Sequence, residues 1–331
     1  MSAKDAGSGC EIVVADIGGT HARFALATIA ADGAVSLGEP VKLQTADHAS
    51  LQTAWEALGR MLGRTLPREA AIAIAAPIQG EVVRMTNSPW TLHPGRLADQ
   101  LGLDAHILIN DFAAVAHAVD CAEPDDLVHL TGPDIPLPDR GAISIVGPGT
   151  GLGIALLLRT GGHSHVVETE GGHVDFAPLD SVEDRLLAHL REHHTRVSAE
   201  RVVSGPGLRA IYRVLAELED RDMPRGDDKA LWSMALEGTD SLSAAALERF
   251  CLCLGAVAGD VALTHGPAPV VIAGGLGYRL RDVLPRSGFA ERFAAKGRYA
   301  ALMRNQSVKL ITHPEPGLFG AAHAFAKRSA D

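Results

Sequence analysis

Two segments that share one organisation constrain the fold most. Glu11–Asp16 (EIVVAD) is a short apolar run, Gly18-Gly19-Thr20 a turn, and Ala22–Ile29 (ARFALATI) a second apolar run. Ala142–Val146, the glycine-rich Gly147–Gly153 (GPGTGLG) and Ile154–Leu158 repeat that order. A shift of 130 residues places Gly149-Thr150 on Gly19-Thr20 and Ala155-Leu156 on Ala25-Leu26. Short apolar runs bounded by glycine read as buried strands, and each pair reads as a hairpin. The shared order points to a duplicated α/β lobe. Length agrees: 331 residues at roughly 150 per domain give about two domains, enough to bury cores without disulfides or metal staples.

The rest of the chain alternates in the same way. Leu51, Trp55, Leu58 and Leu62 recur at helical spacing, Ala70–Ala75 is a short apolar strand, and His106–Asn110 is a strand running into a helix at Phe112–Val119. Residues 122–140, rich in proline and acid, are expected to cross between lobes. Helices are predicted at Ser181–His193, Gly207–Leu218, Ser241–His265 and Gly317–Lys327, with an exposed connection over 219–230. Strands are predicted at Pro269–Ala273, opening onto Gly274-Gly275, and at Val308–Thr312. Gly141–Leu158 and Val261–Tyr278 carry no charge for 18 residues, near the lower limit for a membrane span, but their glycines and prolines fit buried strands joined by turns.

Charge narrows the partners. Thirty Lys and Arg against forty Asp and Glu leave a net charge of −10, and aromatics are only 4%. Neither a nucleic-acid interface nor an anionic membrane surface is expected as a partner. The four cysteines are scattered, with no CxxC pair, and the first nine residues lack the apolar core of a signal peptide. A reduced, cytoplasmic protein is expected.

Phosphate chemistry is the first candidate function. No lysine follows a glycine, so there is no Walker A loop, and GPGTGLG fails the dinucleotide fingerprint in register and in being followed by a strand. Two Gly-Thr hairpins remain. Glycine lets backbone N–H groups approach phosphate oxygens, and Thr20 and Thr150 add hydroxyls. Asp16, at the end of the first strand, could hold magnesium through water. Either turn alone reads equally as an ordinary hairpin; together with Gly274-Gly275 they point to a nucleotide cleft. Asp111, between a strand and a helix, reads either as a general base at the mouth of a sheet or as a helix N-cap. Asn110 can both donate to and accept from a hydroxyl. Glu170 and His173, around a glycine bend, suit sugar hydroxyls, with a metal site or a plain surface turn as rivals. Glu200 reads locally as an acid near a helix start.

The ordered set ADIGGTHARFAL, TNSPW, INDFAAVA, GPGTGLGIA, EGGHVDFAP, SAERVVSGPGL, AGGLG and PGLFGAA resembles the bacterial ATP-dependent glucokinase family, within the actin-like ATPase superfamily of sugar kinases. The resemblance runs from about Ile12 to Ala326. It implies a two-lobed actin-like (ribonuclease H-like) α/β fold, with mixed sheets flanked by helices and an interlobe cleft. The small domain is expected over 1–121 plus 311–331 and the large domain over 122–310. It further implies ATP and Mg2+, with glucose phosphorylated at its 6-hydroxyl. By motif, Asp111 is similar to the family's general base, and Asn87, Asn110, Glu170, His173 and Glu200 to its sugar ligands. Gly18, Gly19 and Thr20 resemble the first phosphate loop, with Asp16 near the metal; Gly149, Thr150 and Gly151 resemble the second, and Gly274 and Gly275 the adenosine-side turn. His21 departs from the commoner Asn of GGTNAR. The Cys-rich zinc motif of the related repressor/kinase group does not follow the EGGH bend, which assigns His173 to sugar. A homodimer and lobe closure on sugar are expected. A kinase for another hexose or amino-sugar, and a non-catalytic sugar sensor on the same fold, are the alternatives.

Overall fold

Both Gly-Thr turns close antiparallel hairpins. In the computed structural model, which describes residues 9–85 and 88–330, β1 (Cys10–Ile17) pairs with β2 (His21–Ile29), placing Asp16 opposite Arg23. β3 (Val35–Leu37) and β4 (Val41–Gln44) add to the outer edge of β2. On its other side β1 runs parallel to β5 (Glu69–Ile74). A separate two-stranded ribbon, β6 (Val83–Arg84) with β7 (Thr91–Leu92), follows, and β8 (Ala105–Asn110) then pairs parallel with β5. The unbroken apolar run of β1 has a simple cause: the sheet is covered on both faces. Val13, Ala15 and Ile17 pack with Trp55 and Trp90 on one side, while Ile12 and Val14 pack with Leu318, Ala321 and Phe325 on the other.

Register brings the ends of the parallel strands together. Ile17 lies beside Ile74, and Ile74 beside Asn110, so the first Gly-Thr turn and Asp111 leave the same carboxyl edge of the sheet. The helix Asp111–Cys121 starts there and packs against the C-terminal helix Pro316–Ala330. The approach needs Gly320: a Cβ at that position would collide with the Ala114 carbonyl oxygen and lie 2.7 Å from Ala118 N.

These elements form one compact unit, the chain up to Ala122 together with residues from His313 onward; Glu123–Thr312 form a second. In the second unit β9 (Leu127–Thr131) is followed by the hairpin β10 (Arg140–Pro148) and β11 (Leu152–Thr160), then β12 (Ser164–Thr169), β13 (Val270–Ile272) and β14 (Val308–Ile311). The sheet order is β12-β11-β10-β13-β14-β9. Its first five strands repeat the order β3-β2-β1-β5-β8, with an antiparallel hairpin at the centre and two parallel strands beside it. The core of this unit gathers around the long apolar helix Ser241–Thr264, most of which is buried. Glu183, fully buried, accepts from Arg249 at 3.1 Å, and Arg249 and Arg292 both also pair with Asp180, the N-cap of the helix Ser181–Arg191.

Three readings change. Residues 122–140 are not simply a crossing, because Leu127–Thr131 form an edge strand beside β14. The span Val261–Tyr278 is the end of a helix, a three-residue strand and a new helix, Gly274–Arg279, rather than strands alone. The polar stretch expected over 219–230 already enters a helix at Asp228–Glu237.

Candidate functional site

In the first unit the Gly18–Thr20 turn is held from behind by Thr45. Its N–H donates to Thr20 O at 3.0 Å and its hydroxyl to Gly19 O at 2.6 Å, while Gly18 N–H closes the hairpin on His21 O at 2.9 Å. Thr20 is exposed. His21 is held below the usual imidazole range, by burial first and then by Lys42 and Arg23.

Asp16 lies next to this turn and is not alone. Arg23 lies 3.3 Å from its Oδ2, and the same guanidinium lies 3.6 Å from Glu315 Oε2. One cation thus serves two carboxylates. Burial raises the pKa of Asp16, with Arg23 opposing; burial also raises that of Glu315, with Arg23 opposing and the Asp16 charge adding. Lys42 adds a second opposing positive charge at Glu315, and hard oxygen donors of this kind fit Mg2+. Among the described residues no group of three or more His, Cys, Asp or Glu could form a closed metal cage. An ion at Asp16 would complete its shell from water and phosphate, as Mg2+ usually does. The helix Pro316–Ala330 begins against this carboxylate: a Cβ at Gly317 would stand 2.9 Å from Asp16 Cγ.

At the end of β8 the helix cap is Asn110, not Asp111. Asn110 Oδ1 accepts from Phe112 N at 2.8 Å and Ala113 N at 3.2 Å, and its amide donates to Ala76 O at 3.4 Å. Asp111 is the first helical residue, with Oδ1 accepting from Phe112 N at 2.9 Å. The N-cap alternative for Asp111 therefore falls, and its carboxylate sits at the positive end of the helix. Asn87 lies outside the described residues.

In the second unit four segments distant in sequence meet at the Gly147–Gly153 turn. Gly149 N–H bonds to Gly151 O at 2.8 Å, and Gly205 N–H bonds to Gly149 O at 2.8 Å. The Trp232 indole donates to Gly205 O at 2.9 Å. Glu200 Oε2 accepts from Leu152 N at 3.0 Å across 48 residues of sequence. Gly274, at φ +78°, opens its helix so close to the turn that a Cβ would be 2.8 Å from Pro148 O. Thr150 and Gly275 are exposed. The bend carrying Glu170 and His173 packs on the same strand start, since a Cβ at Gly172 would collide with Leu152 O. His173 Nε2 stands 3.8 Å from Glu170 Oε2, and both side chains are more than half exposed. Ser198, the N-cap residue of the helix Ala199–Val202, makes no side-chain capping bond, and the Glu200 carboxylate is committed to the turn.

The structure thus gathers Asp16, Gly18, Gly19, Thr20, Asn110 and Asp111 at one sheet edge. Within the other unit it gathers Gly149, Thr150, Gly151, Glu170, His173, Glu200 and Gly274. Sequence reasoning missed Arg23, Thr45, Glu315 and Trp232. Only Arg23 carried a local signal, as the charged residue two places beyond His21 in an otherwise apolar strand.

Comparison with known proteins points to one family. A family model described as Glucokinase matches residues 13–328. A glucokinase of Zymomonas mobilis is 56% identical over 321 residues, covering 97% of this chain and 99% of that protein. A crystal structure of a glucokinase from an Antarctic psychrotroph superposes with TM-score 0.81 at 34% identity, covering 96% of this chain and 99% of the other. A glucokinase of Balamuthia mandrillaris, solved in complex with glucose, shares the fold with TM-score 0.79 at 21% identity, over 96% and 94% of the two chains.

Proposed function

The chain belongs to the glucokinase family, and we propose on that premise that it transfers the terminal phosphoryl group of ATP to the 6-hydroxyl of glucose, with Asp111 as the general base. The products are glucose 6-phosphate and ADP. Phosphoryl transfer leaves the protein little covalent work, so positioning and charge stabilisation dominate. Asp111 accepts a hydrogen bond from the 6-hydroxyl, turns its oxygen toward the phosphorus and takes its proton as the bond forms. Asn87, Asn110, Glu170, His173 and Glu200 bind the other hydroxyls. The backbone of Gly18–Thr20 and of Gly149–Gly151, with the hydroxyls of Thr20 and Thr150, holds the phosphates; Gly274 and Gly275 flank the adenosine. Magnesium, when bound, neutralises charge on the phosphates, and Asp16 would hold it, through water, with Arg23 fixing the carboxylate. On the same premise the enzyme works in the cytoplasm as a homodimer.

The observation that carries the reading is the shared edge: Asp111 follows β8 where β1 delivers the first Gly-Thr turn. Catalytic carboxylates in parallel sheets occupy that edge. Because Asn110 supplies the cap, Asp111→Asn should still fold, losing at most about 1 kcal/mol with the charge at the helix start, and should lose roughly 10²- to 10⁴-fold in kcat, the range for a lost general base. Steady-state kinetics beside a urea titration decide it, and near-wild-type turnover in the folded variant refutes the assignment.

A further inference from the structure

The Glu200 carboxylate faces two directions of chemistry. Oε2 accepts from Leu152 N at 3.0 Å, at the point where the second Gly-rich turn enters β11. The absence of a side chain at residue 151 leaves it room: a Cβ there would collide with Oε2 and stand 3.1 Å from Cδ, so the carboxylate would have to shift. The segment carrying Glu200 is anchored on both sides. Ala199 N–H bonds to Val174 O at 2.8 Å, next to the bend of Glu170 and His173, and Gly205 N–H bonds to Gly149 O at 2.8 Å. The residues assigned to sugar and the turn assigned to phosphate are therefore joined within one unit by a carboxylate and two backbone bonds.

We propose that Glu200 is a positioning residue for the phosphate-binding turn as well as a sugar ligand, and that residue 151 is glycine to admit its carboxylate. The inference rests on the assignment of Glu200 to sugar given above. A carboxylate has about four acceptor sites on two oxygens. Oε2 can keep the Leu152 N–H while Oε1 takes a sugar hydroxyl. A sugar bound at Oε1 fixes the side chain, and with it the backbone at Gly151-Leu152. Each ligand then favours the arrangement the other needs, and the coupling is equal in both directions. The carboxylate is a charged acceptor, which makes the Leu152 bond stronger than a neutral one.

The test is a double-mutant cycle on the full chain, with wild type, Gly151→Ala, Glu200→Ala and the pair, plus Glu200→Gln as the conservative variant. Calorimetry gives the Kd of glucose without nucleotide, and of a magnesium complex of a non-hydrolysable ATP analogue without glucose. Gly151→Ala should weaken glucose about tenfold, because its methyl displaces the Glu200 carboxylate from its place. Glu200→Ala should weaken the nucleotide analogue about tenfold in the absence of sugar. In the Glu200→Ala background the added Gly151→Ala methyl should cost the nucleotide little, since the atom it strikes is gone, so the two effects are non-additive. Glu200→Gln keeps a weaker, neutral acceptor for Leu152 N–H; it should cost the nucleotide clearly less than Glu200→Ala does while glucose weakens, which separates the two roles even if an alanine variant folds poorly. Additive losses, or nucleotide binding unchanged in Glu200→Ala, overturn the positioning role. Glucose binding unchanged in every Glu200 variant, with nucleotide binding weakened, instead overturns the sugar assignment and leaves the positioning role standing.

Discussion

Replacing Gly320 with alanine adds one methyl group where two helices meet backbone to backbone. The new Cβ would collide with the Ala114 carbonyl oxygen and sit 2.7 Å from both the Ala114 carbonyl carbon and Ala118 N, whereas ordinary contact begins at 3.4 Å. None of these atoms belongs to a flexible side chain, so relief requires the helices Asp111–Cys121 and Pro316–Ala330 to part by well over half an ångström. Overpacking by a methylene costs about 1–3 kcal/mol, and a backbone obstacle belongs at the upper end. Alanine returns up to about 1 kcal/mol of helix propensity. The net expectation is a loss of about 2 kcal/mol, by difference of those two figures. Urea unfolding followed by tryptophan fluorescence in a Trp232→Phe background, which leaves Trp55 and Trp90 of the first unit as reporters, should show an earlier midpoint for that unit, and kcat should fall because the displaced helix begins at Asp111. A midpoint equal to wild type would refute the close approach and the dependence of Asp111 on it.

Two further outcomes concern pH. His117 is partly buried, its Nδ1 is enclosed with no hydrogen-bond partner among the described residues, and burial, with Lys327 adding and Asp120 opposing, holds its pKa down at about 4; His323 is likewise lowered to about 4 by burial first. A base depressed in the folded state contributes stability that is complete above the unfolded value near 6.5 and is lost as pH falls toward 4, so His117→Gln should flatten the fall in urea midpoint across that window; an unchanged slope contradicts it. Burial pushes the Asp180 carboxyl up, but the Glu183 N–H, Arg249 and Arg292 outweigh it and hold it at about 2. A depressed acid stabilises above its unfolded pKa near 4 and loses that contribution as pH falls through about 2; Asp180→Asn should therefore lower stability at pH 7, with the gap to wild type closing in acid, and a gap constant with pH would exclude the ionic role.

The hairpins, the carboxyl-edge position of Asp111 and the glycine turns are legible because their signals are local: apolar runs a few residues long, interrupted by glycine. Which of Asn110 and Asp111 caps the helix is not legible, since both are good cap residues and only the backbone shows which side chain reaches the Ala113 amide as well as that of Phe112. Leu127–Thr131 hides among prolines because an edge strand has one neighbour, β14, supplied from far along the chain. The role of Glu200 is invisible for a similar reason. Its neighbours describe a short helix start, while its partner Leu152 lies 48 residues earlier. The sharing of Arg23 between Asp16 and Glu315 depends on the C-terminal helix returning to the first sheet, which no spacing in the sequence encodes.

The most direct measurement of the central claim is the identity of the product. The purified chain, given glucose, ATP and Mg2+, should release ADP and form a phosphate ester at the glucose 6-oxygen, read as its phosphorus–proton coupling by NMR, and the Asp111→Asn protein should form the same ester far more slowly. ADP release without a sugar ester, or an ester at another hydroxyl, would contradict it.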